Sequence, residues 1–202
     1  MAKKPSTIQL ILAQLLKDRY KTYTIRELAR TINKDYKNVY EALKAHPESI
    51  RKRTIGHSAE IQFAPHITSE LIAAELTRVK AITKKLNLLV QDINNLDEPL
   101  CPIILFGSYA KDNEHKNSDI DICIIHNNEK EAQRIELNLS IHPNIEIHTF
   151  HYSEFIRMMI DNTFNVGHEI ARTGIPLRNI ESYYKVLQDG WKTSGTSETK
   201  HE

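Results

Sequence analysis

Residues 102–125 read PIILFGSYAKDNEHKNSDIDICII and concentrate the chemistry of this chain. The apolar run from Ile103 to Phe106 predicts a buried strand. Gly107-Ser108 predicts a sharp turn into a helix, where a glycine lets the backbone approach a phosphate closely. Ten residues later, Asp119 and Asp121 stand two apart in a strand-like segment, so we expect both carboxylates on one face. Two hard oxygen ligands beside such a turn predict a Mg²⁺ site.

The pattern of Gly107-Ser108, ten intervening residues and Asp119-x-Asp121 resembles the signature of the nucleotidyltransferase superfamily that includes DNA polymerase beta. The residues within and next to this motif are most similar to those of the minimal nucleotidyltransferases of prokaryotes. The resemblance covers about residues 100–190 and implies an α/β (α+β) nucleotidyltransferase fold. That family has a third carboxylate on the next strand, and Glu146 within Ile145-Glu146-Ile147 is the candidate. Many members carry Asp there, so Glu146 is a mild departure.

The resemblance also implies a two-metal reaction in which NMP is transferred from an NTP and pyrophosphate is released. The expected donor is ATP, so that the transferred group is AMP. The expected catalytic residues, which would also hold Mg²⁺ or Mn²⁺, are Asp119, Asp121 and Glu146. The residues expected to bind the nucleotide phosphates are Gly107, Ser108 and Lys111. Clustered carboxylates repel one another, so we expect raised pKa values in the absence of metal.

The composition points to a protein of the cytoplasm. The 202 residues are 40% hydrophobic and 26% charged, ordinary values for a globular protein. We expect no membrane association, because no apolar run approaches the roughly 20 residues of a membrane span. Two cysteines, Cys101 and Cys123, are too few for a disulfide framework or a four-cysteine zinc site.

The charge is distributed unevenly along the chain. Residues 1–66 carry thirteen Lys and Arg against six Asp and Glu, a net charge of +7, whereas the remainder is acidic with a net charge of −6. This asymmetry predicts two modules with different partners, and the basic one is a candidate for nucleic-acid binding.

The basic module, residues 1–66, is predicted to contain three short helices followed by a hairpin. Thr24-Ile25-Arg26-Glu27 has the form of a capping box and marks the start of the second helix. This order of elements resembles a winged helix-turn-helix domain, in which the third helix enters the major groove and the wing contacts the DNA backbone. The residues that would bind DNA are Lys34, Lys37, Asn38 and Lys44 on the helix side and Arg51, Lys52 and Arg53 on the wing. A protein-docking role for this module is the alternative.

The remaining segments are predicted from pattern alone. An apolar stripe over residues 67–99 predicts one connecting helix, which would pack on the core or form the seam of a homodimer. Residues 191–202 are rich in Ser, Thr, Lys and Glu and predict a disordered tail. His148 and His151 are three apart on a predicted strand and point to opposite faces, which argues against a zinc site between them.

Three functions are compatible with the sequence. One is a nucleotidyltransferase whose acceptor is a protein, an RNA or a small molecule, including an antitoxin-type enzyme that modifies a partner toxin. A second is a DNA-binding transcriptional regulator whose nucleotidyltransferase domain only senses nucleotide. The third combines both, as a modifier that also controls its own operon. The base preference and the acceptor are left open by the sequence.

Overall fold

The computed structural model describes residues 4–55, 58–97 and 101–198, and the chain divides into two compact units between Thr77 and Arg78. It is a mixed α/β protein. No helix among the described residues is both long and apolar enough to cross a membrane. The boundary falls inside a helix, α4 (Ser69–Thr83), whereas the sequence suggested a boundary at residues 66–67.

The first unit combines three helices with a small antiparallel sheet. Its elements are α1 (Thr7–Leu15), β1 (Tyr23–Thr24), α2 (Ile25–Thr31), α3 (Tyr36–Ala45), a 3-10 turn (Pro47–Ser49), β2 (Ile50–Ile55) and β3 (Ser58–Phe63). The strand order is β1-β3-β2, with both pairings antiparallel. The predicted capping box is confirmed, because the Thr24 hydroxyl accepts from the Glu27 amide and the Glu27 carboxylate accepts from the Thr24 amide.

A buried ion pair explains why the start of α4 belongs to the first unit. The Arg19 guanidinium lies 2.8 Å from the Glu75 carboxylate, and both side chains are fully excluded from solvent. Leu71 and Ala74 on the same helix are also buried. An unpaired charge in that position would be costly, so the pair fixes this part of α4 in the first unit.

The second unit is built on a four-stranded sheet in the order β6-β5-β4-β7. Its elements after α4 are α5 (Asn87–Asn95), β4 (Ile103–Leu105), α6 (Gly107–Ala110), β5 (Ile120–His126), α7 (Glu129–Leu139), β6 (Ile145–His151), α8 (Tyr152–Ile160), α9 (Val166–Thr173), β7 (Ile175–Arg178) and α10 (Ile180–Glu198). β4 is antiparallel to β5 and to β7, and β5 is parallel to β6. The end of β4 and the starts of β5 and β6 therefore lie at one edge of the sheet.

The single connecting helix predicted over residues 67–99 is wrong, because α4 and α5 are separated by residues 84–86. Leu86 has φ −123° and ψ 48°, which is not helical. Lys85 lies in this break, and its ammonium contacts the carboxylates of Asp112 at 2.6 Å and Glu114 at 2.5 Å. These contacts join residues far apart in sequence, so the apolar periodicity of the segment gives no sign of them.

The tail also differs from its prediction, since α10 continues through residues 191–198 and only residues 199–202 lie outside the described part. Gly190 does not end the helix. A Cβ at this position would lie 2.6 Å from Cε of Met159, so the glycine serves close packing of α10 on α8.

Candidate active site

The turn after β4 is shaped around a carboxylate of the neighbouring strand. Gly107 has φ +64°, and a Cβ there would lie 1.8 Å from Oδ2 of Asp121. The Phe106 amide donates to the backbone carbonyl of Asp121 over 2.9 Å. Only glycine satisfies both the left-handed backbone and this close approach. The predicted turn and the predicted acid thus meet directly.

Two acids of the parallel strands stand side by side. Asp121 on β5 is paired in register with Glu146 on β6, and Cys123 with His148. The His148 imidazole Nε2 lies 3.1 Å from Oε1 of Glu146. One potential ligand atom from each of Asp121, Glu146 and His148 lies within 4.8 Å of the others. The structure therefore brings two of the three predicted carboxylates together and adds an imidazole to them.

This donor set suits a divalent cation. Neighbouring ligands of an octahedral ion with bonds of about 2.1 Å are about 3 Å apart, so side-chain movements of up to about 2 Å would let the three groups share one ion. Carboxylate oxygen is a ligand for Mg²⁺ and Mn²⁺, and imidazole nitrogen is a ligand for transition-metal ions. The residues present fit the metal that the predicted chemistry requires.

The site destabilises the ionised form of Asp121. Burial, followed by the charges of Glu146 and Glu169, raises the pKa of this carboxyl above its ordinary value of 3.8, while His148 acts in the opposite direction. The shift at Asp121 has the direction expected from the sequence, but burial contributes more to it than the neighbouring carboxylates do. A cation bound at Asp121 would remove this penalty, so metal binding and proton release are coupled here.

Asp119 lies outside the group formed by Asp121, Glu146 and His148. It precedes β5, which begins at Ile120, and its side chain is exposed. Its charge still contributes, as the smallest of the causes that raise the pKa of Asp121. The prediction that Asp119 and Asp121 share one strand face stays a prediction, since Asp119 immediately precedes β5.

The residues predicted to bind phosphate lie on and just after α6. Ser108 is half-buried, and its carbonyl accepts from the amides of Lys111 and Asn113, each over 3.2 Å. The Lys111 ammonium is 2.5 Å from the carboxylate of Glu169 on α9. Lys111 thus lies next to the turn, as expected, but it already has an anionic partner.

Sequence reasoning missed two residues of this region, His148 and Glu169. His148 stands two residues after Glu146 on one strand, so the alternation of strand faces could have placed it beside that acid. Its ring is held edge-on to Phe106 at 5.4 Å and stacked with Phe150 at 6.3 Å. Glu169 comes from a helix distant in sequence, and no local signal identifies it.

The residues predicted to bind DNA fall into separate groups in the first unit. Lys34 and Asn38 line a cavity of about 540 Å³ at the turn between α2 and α3, together with Arg26 and Arg30, which the sequence analysis did not single out. The spacing of Arg26 and Arg30, four apart on α2, could have identified them as one face. Lys37 is also exposed on α3.

The predicted wing residues do not all lie on one face of the small sheet. Arg51, Lys52 and Arg53 are exposed and occupy consecutive positions of β2, opposite Gln62, Ile61 and Glu60 of β3. Alternation places Arg51 and Arg53 on one face of the sheet and Lys52 on the other. Lys52 instead lines a cavity with Lys44 of α3.

The comparisons with known proteins bear on the second unit. No curated protein sequence matches the chain. Residues 89–160 match the family model described as Nucleotidyltransferase domain, a segment that contains β4, β5 and β6. Because this match covers just over a third of the chain and includes Gly107, Asp121 and Glu146, it supports assigning this segment to the nucleotidyltransferase superfamily.

Proposed function

We propose that the second unit is a metal-dependent nucleotidyltransferase that transfers NMP, with ATP as the expected donor, to an acceptor nucleophile. The observation that carries the proposal is the contact between the Gly107 turn and Asp121, with Glu146 in register beside it. Turn, acid pair and family match all fall within residues 89–160. A solvated Asp-x-Asp segment without function would not require a glycine packed on one carboxylate.

In this proposal Asp121 and Glu146 hold divalent cations, and Asp119 contributes a third carboxylate from the preceding loop. A bound divalent cation supplies charge neutralisation for the triphosphate and lowers the pKa of the attacking hydroxyl. Burial of Asp121, followed by repulsion from the Glu146 and Glu169 carboxylates, raises the pKa of Asp121. The site should therefore require both metal and a pH at which Asp121 is ionised.

Ser108 and Lys111 are the proposed phosphate contacts. The Lys111 side chain is 40% exposed and its ammonium is paired with Glu169, whose side chain is 26% exposed. An incoming triphosphate would compete with the Glu169 carboxylate for this ammonium. We expect Glu169→Gln to strengthen nucleotide binding, because it removes that competitor and one negative charge near Asp121.

Label transfer tests the proposal. The protein would be incubated with each α-labelled NTP and Mg²⁺ or Mn²⁺ in lysate of its own host, beside Asp119→Ala with Asp121→Ala. A matched control, Asp97→Ala with Glu136→Ala, removes two exposed carboxylates outside the site. If label appears in a protein, RNA or small-molecule fraction and is lost only when Asp119 and Asp121 are replaced, that fraction identifies the acceptor class. Equal labelling by both double variants would refute the assignment.

Nucleic-acid binding by the first unit is the second candidate function. Its three helices and antiparallel hairpin support a winged helix module, and the basic cavity at the α2–α3 turn supplies charge where the third helix begins. Such a module would serve a transcriptional regulator, or an antitoxin-type enzyme acting on a partner toxin and its own operon. Lys and Arg contacts to phosphate would make the affinity depend steeply on salt.

A salt titration of duplex binding tests this role. Arg26→Ala with Lys34→Ala should make the negative slope of log affinity against log salt shallower by about 2, since each phosphate contact contributes about −0.9. The matched control, Lys80→Ala with Lys130→Ala, removes two positive charges from the second unit and should leave the slope unchanged. An unchanged duplex affinity and slope in Arg26→Ala with Lys34→Ala would favour the protein-docking alternative.

A further inference from the structure

We propose that His148 is a metal ligand and makes this site prefer a transition-metal dication, with Mn²⁺ as the probe, over Mg²⁺. This inference rests on the proposed function, because it concerns the metal of the same site. The sequence predicts an all-carboxylate site, and its spacing of His148 and His151 argues against metal binding by either histidine. The geometry points to a mixed site of two oxygens and one nitrogen.

The position of His148 carries the argument. Its ligating nitrogen and the carboxylate oxygens of Asp121 and Glu146 lie within 4.8 Å of one another. The side chain is 32% exposed, so the ring borders solvent and a cation can reach it. β5 and β6 are paired in register over their full length, which fixes the spacing of the three side chains.

The orientation of the imidazole is set by its neighbours. Phe106, the residue before the Gly107 turn, packs edge-on against the ring, and Phe150 stacks on it with an angle of 14° between the planes. These contacts hold Nε2 toward Glu146 at 3.1 Å. A ring that contacts two aromatic side chains loses less rotational freedom on binding a metal than an isolated side chain would.

The identity of the ligand atoms decides the metal preference. Mg²⁺ strongly prefers oxygen ligands and retains water, whereas imidazole nitrogen favours first-row transition metals. A site with one imidazole should therefore gain affinity for a transition-metal dication and gain little for Mg²⁺. The Glu146–His148 contact also permits an arrangement in which the imidazole does not bind the metal and only orients the Glu146 carboxylate. The experiment must distinguish this arrangement from direct ligation by His148.

The test is pulsed electron paramagnetic resonance of Mn²⁺ bound to the full chain, together with calorimetric affinities for Mn²⁺ and Mg²⁺. We expect a ¹⁴N coupling from His148 to Mn²⁺. His148→Phe keeps a ring between Phe106 and Phe150 but removes the nitrogen. It should abolish the coupling and weaken Mn²⁺ binding about 10–100-fold, while Mg²⁺ affinity changes less than about threefold. His148→Asp should reduce the preference for Mn²⁺ by supplying an oxygen.

His151→Asn is the matched control. It removes an imidazole from the end of the same strand, where the Nδ1 atom of His151 contacts Ser153 and caps α8, and Asn can cap in its place. The ¹⁴N coupling should persist in this variant. Absence of the coupling in the wild-type protein, or an equal loss of Mn²⁺ and Mg²⁺ affinity in His148→Phe, would overturn the inference.

The two proposals fail in different ways. Nitrogen coupling without any NMP transfer would refute the proposed function and leave His148 as a ligand. Transfer that depends on Asp121, with no coupling and an unchanged metal preference in His148→Phe, would refute the inference and leave the function standing.

Discussion

Replacing Gly107 with alanine tests the link between the turn and the site. The left-handed backbone, φ +64°, costs an L-residue roughly 1–2 kcal/mol. For a chain of this size we expect a fall in Tm of about 2–8 °C. The new Cβ would lie 1.8 Å from Oδ2 of Asp121. An ordinary carbon–oxygen contact is about 3.3 Å, so the carboxylate must move by about 1.5 Å.

That displacement should separate Asp121 from Glu146. Since a misplacement of 1 Å can cost about 10²-fold in rate, we expect at least a hundredfold loss of NMP transfer and a clear loss of Mn²⁺ affinity. Thermal unfolding, calorimetry and label transfer measure the three effects. Gly190→Ala is the control, because its Cβ would meet only the Met159 side chain and should leave metal affinity unchanged. Wild-type metal affinity and transfer in Gly107→Ala would refute the reasoning.

Three further predictions concern buried or half-buried groups. Glu75→Gln leaves the charge of Arg19 buried, so chemical denaturation should show a loss of about 3–5 kcal/mol, which Arg19→Met with Glu75→Leu should largely restore. Asp121→Asn should stabilise the metal-free protein near pH 8, because the pKa of Asp121 is raised in the folded state and its ionisation therefore disfavours folding. This gain in stability should vanish as the pH falls below 3.8, where Asp121 is protonated in both the folded and the unfolded state. A pH series of melting curves checks this. Cys101 and Cys123 are buried, and burial raises the pKa of the Cys123 thiol, so thiol reagents should react with them only upon unfolding.

Local chemistry explains what the sequence could predict. The apolar strand, the glycine turn and the acids lie within residues 102–125, and β4 and β5 are joined by one short connection. The family match over residues 89–160 supports the superfamily assignment. Glu146 was identifiable because it interrupts an apolar strand, and the structure places it in register with Asp121.

Tertiary contacts explain what the sequence could not predict. Glu169 reaches Lys111 only because α9 lies beside α6. The break between α4 and α5 places Lys85 in contact with two carboxylates that are far from it in the sequence. In both cases the contacting residues are far apart in the sequence, so the spacing of apolar residues gives no sign of the contact.

The central claim is that the bond broken is at the α-phosphate of the nucleotide. Parallel reactions with α-labelled and γ-labelled ATP, metal and host lysate test it most directly. We predict that the acceptor gains label from the α-labelled nucleotide only, that the γ label leaves as pyrophosphate, and that Asp121→Asn abolishes transfer. An acceptor labelled from the γ position, or labelled equally by wild type and Asp121→Asn, would contradict the account.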